Sequence, residues 1–179
     1  MASRRDFLTA FKKPLQQTSK ESPLWVRPPY GLDESLFQSE CVACESKACA
    51  ASCDEQIIVI GADRTPILNF SKSGCTFCDD CAKACEADVL SLENSLYTTK
   101  TNASFRISTD GCVAHHGVVC FSCKEPCIDD AILFNGMFSP IIDMDRCTGC
   151  GFCISVCPAD AIECSPILMT TKDLEENGE

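Results

Sequence analysis

The sequence predicts an α+β protein of two small tandem units, mostly loops with short strands and short helices. Three observations predict it. Seventeen of 179 residues are cysteine, sixteen of those fall into four repeating groups, and the stretches between groups are short apolar runs bounded by Gly, Pro, Asn and Asp. One cysteine in about ten residues is far above ordinary usage. A secreted disulfide scaffold would carry an even count behind a cleavable signal peptide, and neither is recognisable. The thiols are therefore expected to be metal ligands in a reducing, cytoplasmic compartment.

The groups are Cys41, Cys44, Cys49, Cys53; Cys75, Cys78, Cys81, Cys85; Cys112, Cys120, Cys123, Cys127; and Cys147, Cys150, Cys153, Cys157. Their starts are 34, 37 and 35 residues apart, and only Cys164 is left over. The second and fourth groups read C-x2-C-x2-C-x3-C, the fourth followed by Pro158, which is the bacterial [4Fe–4S] ligand run. Three close thiolates on a turning loop each reach a different iron of one cube. The fourth, expected where a helix begins, points to a second cube, so paired runs exchange their last ligands. Structural zinc asks instead for two separated ligand pairs around one ion. The sequence thus predicts two tandem bacterial 2[4Fe–4S] ferredoxin-like units. Crossed ligation groups Cys41, Cys44, Cys49 with Cys85 and Cys75, Cys78, Cys81 with Cys53. In the second unit it groups Cys112, Cys120, Cys123 with Cys157 and Cys147, Cys150, Cys153 with Cys127.

Two groups depart from the simple run. The first is C-x2-C-x4-C-x3-C, lengthened over Glu45–Ala48, and the third is C-x7-C-x2-C-x3-C, with Val113–Val119 inserted. Longer loops cost only modest closure entropy, so both remain able to hold a cube. The expectation is four [4Fe–4S] clusters, or three if the irregular third group is not a site. His115 and His116, the chain's two histidines, lie inside the insertion and compete with Cys112 as ligands there. Asp54 and Glu86 follow the fourth cysteines of the first two groups, and negative charge there disfavours added electrons.

Between the groups, Gln56–Ile60 ends at Gly61-Ala62-Asp63, and Pro66–Phe70 leads into the second group, which reads as a hairpin. Ala131–Phe134 meets Asn135-Gly136, a strong turn signal, and Pro140–Met144 enters the fourth group. Val156–Ala161 has room for one or two helical turns, while Val89–Leu92 and Ala161–Glu163 read as closing strands. Each half is then a β-α-β-β-α-β-like unit. Ile58, Ile60, Ile67, Leu68, Ile132 and Ile141 are expected to form core over the clusters. Cys164, beside a closing strand, is expected to be a buried small hydrophobe. Units of this size bury too little apolar surface to be secure alone, and metal ligation supplies much of the difference. The boundaries are a basic arm and Pro-rich segment over 1–36, one unit over 37–100, a second over 101–168, and an acidic tail over 169–179.

The formal net charge of −11 argues against a nucleic-acid partner. Residues 1–20 carry five basic residues and one acidic, a balance of +4, which leaves −15 on the remainder. An acidic body of this kind is suited to docking on a basic redox partner protein. No run approaches the ~20 apolar residues of a transmembrane segment. Ser3-Arg4-Arg5-Asp6-Phe7-Leu8 resembles a twin-arginine export motif, but Lys12, Lys13 and Pro14 follow where an apolar stretch is required, so export is not expected. Phe7, Leu8 and Phe11 share one helical face beside Arg4, Arg5 and Lys12. Trp25-Val26-Arg27-Pro28-Pro29-Tyr30 favours an extended strand that packs on the first unit or is offered to a partner. No nucleotide fingerprint, phosphate loop or Ser/His/Asp constellation is present, so catalysis is not expected and no catalytic residue is assigned.

Ser3-Arg4-Arg5, Arg27-Pro28-Pro29-Tyr30, Asp33-Glu34-Ser35 and the four quartets with a C-x7-C third group resemble NapF, a family of ferredoxin-type accessory proteins of periplasmic nitrate reductase systems. The resemblance covers nearly the whole chain; the lengthened first group departs from it. It implies a cytoplasmic iron–sulfur protein acting on the precursor of the nitrate reductase catalytic subunit before export, with ligands on the sixteen grouped cysteines. The alternative is a polyferredoxin relaying electrons to or from a reductase.

Overall fold

The computed structural model describes residues 25–31, 33–93 and 100–167. The basic arm and its amphipathic turn, and the acidic tail, lie outside these residues. The described elements, in chain order, are α1 (Glu34–Leu36), which continues as a π-helical turn over Phe37–Cys41; α2 (Ala48–Ala51); β1 (Ile58–Ile60); β2 (Pro66–Leu68); α3 (Asp80–Lys83); β3 (Ala103–Ile107); a 3-10 turn (Val113–His116); β4 (Ile132–Asn135); β5 (Phe138–Ile142); α4 (Phe152–Ser155); and β6 (Ile162–Pro166).

The strands form three antiparallel pairs: β1 with β2, β4 with β5, and β3 with β6. The two hairpins stand where the sequence places them. Gly136 takes φ +67°, which the tight turn after Asn135 requires and glycine supplies without strain. The closing pairs differ between halves. Ala161–Glu163 grows into β6, which ladders with β3 from Ala103↔Pro166 to Ile107↔Ile162. Val89–Leu92 does not become a strand: a single bridge, Gly31↔Leu90, and a bond from the Ser91 N–H to the Tyr30 carbonyl stand in its place.

The helices also depart from expectation. Val156–Ala161 is a turn rather than a helix, and each short helix precedes the fourth cysteine instead of starting at it. Three helices carry the third cysteine of a group, Cys49, Cys81 and Cys153. Each starts behind a left-handed residue two positions earlier: Lys47 (φ 46°), Asp79 (φ 67°) and Gly151 (φ 84°). That reversal ends the ligand loop and lets one helical turn begin. The third group has only turns at this place.

The core is assembled from both halves. Ile57, Ile58, Leu68, Phe70, Val89, Leu90, Phe105, Ile132 and Ile162 are buried with Tyr30 and Phe37 from the N-terminal segment. Of the expected core positions, Ile67 is half-buried, whereas Ile60 is 38% and Ile141 60% exposed. The β4–β5 register explains Ile141. It pairs with Leu133 on the outer face, while the adjacent pair Ile132↔Ile142 faces inward. Ile60 sits at the end of β1, where the chain leaves the core for the Gly61–Thr65 turn.

Arg27-Pro28-Pro29-Tyr30 packs inside the described structure. The Arg27 guanidinium, 5% exposed, donates to both carboxylate oxygens of Glu34, to Thr65 Oγ1 (2.6 Å) and to the Pro66 carbonyl (2.9 Å), and lies 4.6 Å from the Phe37 ring centroid. A buried guanidinium is tolerated only with such a full set of partners. The same segment reaches the second half. Asn102 accepts from the Arg27 N–H (2.7 Å) and donates to the Trp25 carbonyl (2.9 Å), while the Val26 carbonyl accepts from Leu68 N–H (2.8 Å).

Candidate metal centre

The sixteen grouped thiols gather into four sets, and in every set the fourth cysteine of one group joins the first three of its neighbour. Cys53 lines one cavity with Cys75, Cys78 and Cys81. Cys127 lines a second with Cys147, Cys150 and Cys153. Cys157 lines a third with Cys112, Cys120 and Cys123. Cys41 lies electrostatically next to Cys44, Cys49 and Cys85, which completes the fourth set. This is the crossed arrangement that the spacing predicts.

One local device makes it possible in all four groups. Three residues after each fourth cysteine stands a left-handed residue, Gln56 (φ 53°), Asp88 (φ 51°), Asp130 (φ 50°) or Asp160 (φ 48°). Its N–H donates back to that cysteine's carbonyl at 3.0–3.3 Å. Asp tolerates this conformation better than most residues. The turn swings the fourth thiol away from its own loop toward the partner set. It went unread in the sequence, although Asp at a fixed offset from three of four groups is a legible signal.

The third group conforms despite its insertion. Val113–His116 closes as a 3-10 turn capped by Gly117 at φ 81°, and Cys112 reaches the cavity. Neither histidine lines it. His115 Nε2 bonds the Pro140 carbonyl at 3.1 Å and His116 Nε2 the Asp110 carbonyl at 3.0 Å. Cys164 stands apart on β6 opposite Phe105 and is exposed, contrary to the buried position expected for it.

The donor set fits an iron–sulfur cube better than a single ion. A tetrahedral zinc site brings its sulfurs to within about 3.8 Å of one another, given Zn–S near 2.3 Å. Among the described residues no group of three or more His, Cys, Asp or Glu is placed to hold a single metal ion. The thiols instead rim cavities. Burial pushes the Cys41 and Cys75 thiols up to about 11, helped by neighbouring thiols, and Cys81 to about 12. Cys123 rises to about 11, and Cys49, Cys147, Cys150 and Cys153 rise too, again through burial first. Crowded buried thiolates need a compensating cation, which bound iron supplies. Cys44 alone is lowered, through the Ser46 hydroxyl first.

Protein donors also point at the sulfurs. Backbone N–H groups reach every set, among them Leu90 to Cys85 (3.5 Å), Phe77 to Cys75 (3.4 Å), Ala161 to Cys157 and Ala131 to Cys127 (both 3.3 Å). Tyr30, fully buried, lines the Cys53 set's cavity, and its hydroxyl donates to Asp79 Oδ1 (2.5 Å) and the Phe77 carbonyl (3.1 Å). Burial and then Asp79 raise the Tyr30 pKa strongly, so the phenol stays protonated. Asp54 lines the same cavity; Glu86 is exposed.

The second and fourth ligand loops meet. The Cys75 N–H donates to the Cys150 carbonyl at 2.7 Å, and each loop seats an aromatic ring against a glycine of the other. A Cβ on Gly74 would lie 2.5 Å from Phe152 N, and one on Gly151 only 2.2 Å from the Phe70 ring. The Cys53 and Cys127 sets are thus the inner pair, and the Cys41 and Cys112 sets the outer pair.

Comparison with known proteins supports an iron–sulfur protein. Residues 140–163, which include the fourth group and the strand before it, match the family model described as 4Fe-4S binding domain. The ferredoxin-type protein NapF of Escherichia coli K12 is 34% identical over 165 residues, covering 90% of this chain and 93% of that one. NapF of Haemophilus influenzae is 30% identical over 91% of this chain and 88% of its own length. The E. coli ferredoxin-type protein NapG is 28% identical over 89% and 78%. Similarity that runs almost end to end, with a matching 4Fe-4S binding domain, makes this chain a [4Fe–4S] ferredoxin-type protein belonging to the NapF family.

Proposed function

We propose that the protein carries four [4Fe–4S] clusters in two tandem units, residues 37–100 and 101–168, on the crossed ligand sets described above. In this reading it serves in the cytoplasm as an accessory protein of a periplasmic nitrate reductase. It binds the catalytic subunit precursor before export and supplies iron–sulfur or reducing equivalents during maturation. The observation that carries the accessory role is the near full-length similarity to NapF proteins. The four thiol sets support the cluster count, and Cys112 is the proposed ligand in place of His115 or His116. The bound cubes would supply one-electron chemistry. The chain's own contribution is to hold the sulfurs, to exclude water with Tyr30, Leu90, Ile132 and Ile162, and to fix the distance between sets.

The contact between Cys75 and Cys150 favours a second reading, a relay passing electrons between the halves and on to a reductase. A deletion strain separates the two. Maturation predicts a nitrate reductase poor in iron, sulfide and molybdenum once this protein is missing; fully loaded reductase with impaired electron flux supports the relay instead. Iron and acid-labile sulfide on anaerobically prepared protein test the cluster count, at about 16 of each per chain for four cubes. Cys112→Ser is expected to cost one cluster and His115→Ala none.

A further inference from the structure

All four thiol sets receive backbone N–H groups at sulfur, but they differ in side chains. Ser46 Oγ lies 3.6 Å from Cys44 Sγ, and Ser122 Oγ 3.6 Å from Cys120 Sγ. Cys44 and Cys120 are the second ligands of the two outer sets, and each serine stands two residues further on. A metal-bound sulfur has no proton, so the hydroxyl is the donor. In the inner sets the Thr148 hydroxyl stands beside Cys150 but commits its proton to Asp129 Oδ2 at 2.6 Å. Carboxylates line the inner cavities instead, whereas Glu86, beside Cys85 of an outer set, is exposed to solvent screening. Asp54, Glu55 and Asp79 line the Cys53 set's cavity, and Asp129 lines that of the Cys127 set. No carboxylate lines the Cys112 set's cavity, and Lys47, bonded to the Arg64 carbonyl and to that of Cys41, brings a positive charge to the remaining outer set. Hydrogen bonds to sulfur and nearby cations favour the reduced cluster, whereas nearby anions oppose it.

We infer that Ser46 and Ser122 are potential-setting residues that, with the inner carboxylates, divide the clusters into two outer ones that reduce first and two inner ones that reduce last. The inference rests on the cluster reading above. In the half-reduced protein the electrons then sit at opposite ends of the molecule, away from the Cys75–Cys150 contact. Each end is where a redox partner exchanges an electron, and passage between halves is uphill.

The test is an anaerobic redox titration of the full holoprotein followed by electron paramagnetic resonance, with iron and sulfide measured on every sample. Ser46→Ala and Ser122→Ala are each expected to lower one early-reducing component by about tenfold in its reduction equilibrium, 59 mV for one electron, at unchanged iron content. Ser46→Thr and Ser122→Thr keep a hydroxyl and should restore the parental midpoints. Asp129→Asn should raise one late-reducing component. The proposal falls if the serine variants move no midpoint, move a late component, or lose iron, the last making the serines structural props. Wild-type protein lacking iron and sulfide would overturn the cluster reading itself, a separate outcome.

Discussion

The two halves hold the same constellation of thiols by different means. In the second half, chain closure is a backbone ladder, β3 against β6, whose cross-strand pair Arg106–Glu163 (2.7 Å) is exposed on both sides. In the first half the ladder shrinks to one bridge at Gly31↔Leu90, and side chains take over: Arg27 ties the N-terminal segment to Glu34, Thr65 and Pro66, and Tyr30 ties it to the loop bearing Cys75 and Cys78. A ladder spreads its free energy over many equivalent bonds and tolerates single changes. A side-chain network concentrates it in a few residues and does not.

Five measurements break or sharpen this contrast. Cluster removal should have the largest effect and spare neither half, because both are too small to stand on apolar burial alone. Chelator treatment is expected to abolish secondary structure, by circular dichroism, in step with iron loss. Phe105→Ala follows, at roughly 3–5 kcal/mol in anaerobic denaturation. Phe105 is buried and meets Phe70 edge-on with centroids 5.6 Å apart, so both halves should be weakened together. Arg27→Ala should cost on the order of 3 kcal/mol by stripping a buried charge network, and first-half iron should be lost ahead of second-half iron during denaturation. Tyr30→Phe removes one hydrogen bond shared between Asp79 and the Phe77 carbonyl, at a cost of about 1–2 kcal/mol, with faster iron release as its readout. Arg106→Ala, cutting a solvent-screened pair on the ladder, should leave the denaturation midpoint unmoved; an effect matching that of Arg27→Ala would erase the contrast.

How much of this was legible beforehand follows from how local each feature is. The grouping of the thiols follows covalent spacing, so it could be read directly, and Asn135-Gly136 encodes its turn in two residues. Ala103–Ile107 was not read as a strand because it is defined by its pairing with Ile162–Pro166, nearly sixty residues away. The helices were misplaced by a few residues because their starting points depend on the left-handed Lys47 and Asp79, whose conformation propensity alone does not favour. Ile141 was misassigned because an isolated hairpin buries one face, and apolarity does not say which. The role of Arg27-Pro28-Pro29-Tyr30 could be narrowed but not chosen: its partners Thr65, Phe77, Asp79 and Asn102 come from three separate loops.

The N-terminal segment is fastened by a residue that does not yet exist when the segment is made. Arg27 and Trp25 leave the ribosome well before Asn102, 75 residues after Arg27 in the chain. At ordinary translation speeds that gap lasts roughly 4–15 s. By then the first two quartets are complete, and the belt over the Cys53 set has its Glu34, Thr65, Pro66 and Asp79 partners but lacks its tie to Asn102. Synthesis itself therefore completes the first half's thiols and the side-chain network around Arg27 before the cross-tie from the second half can form.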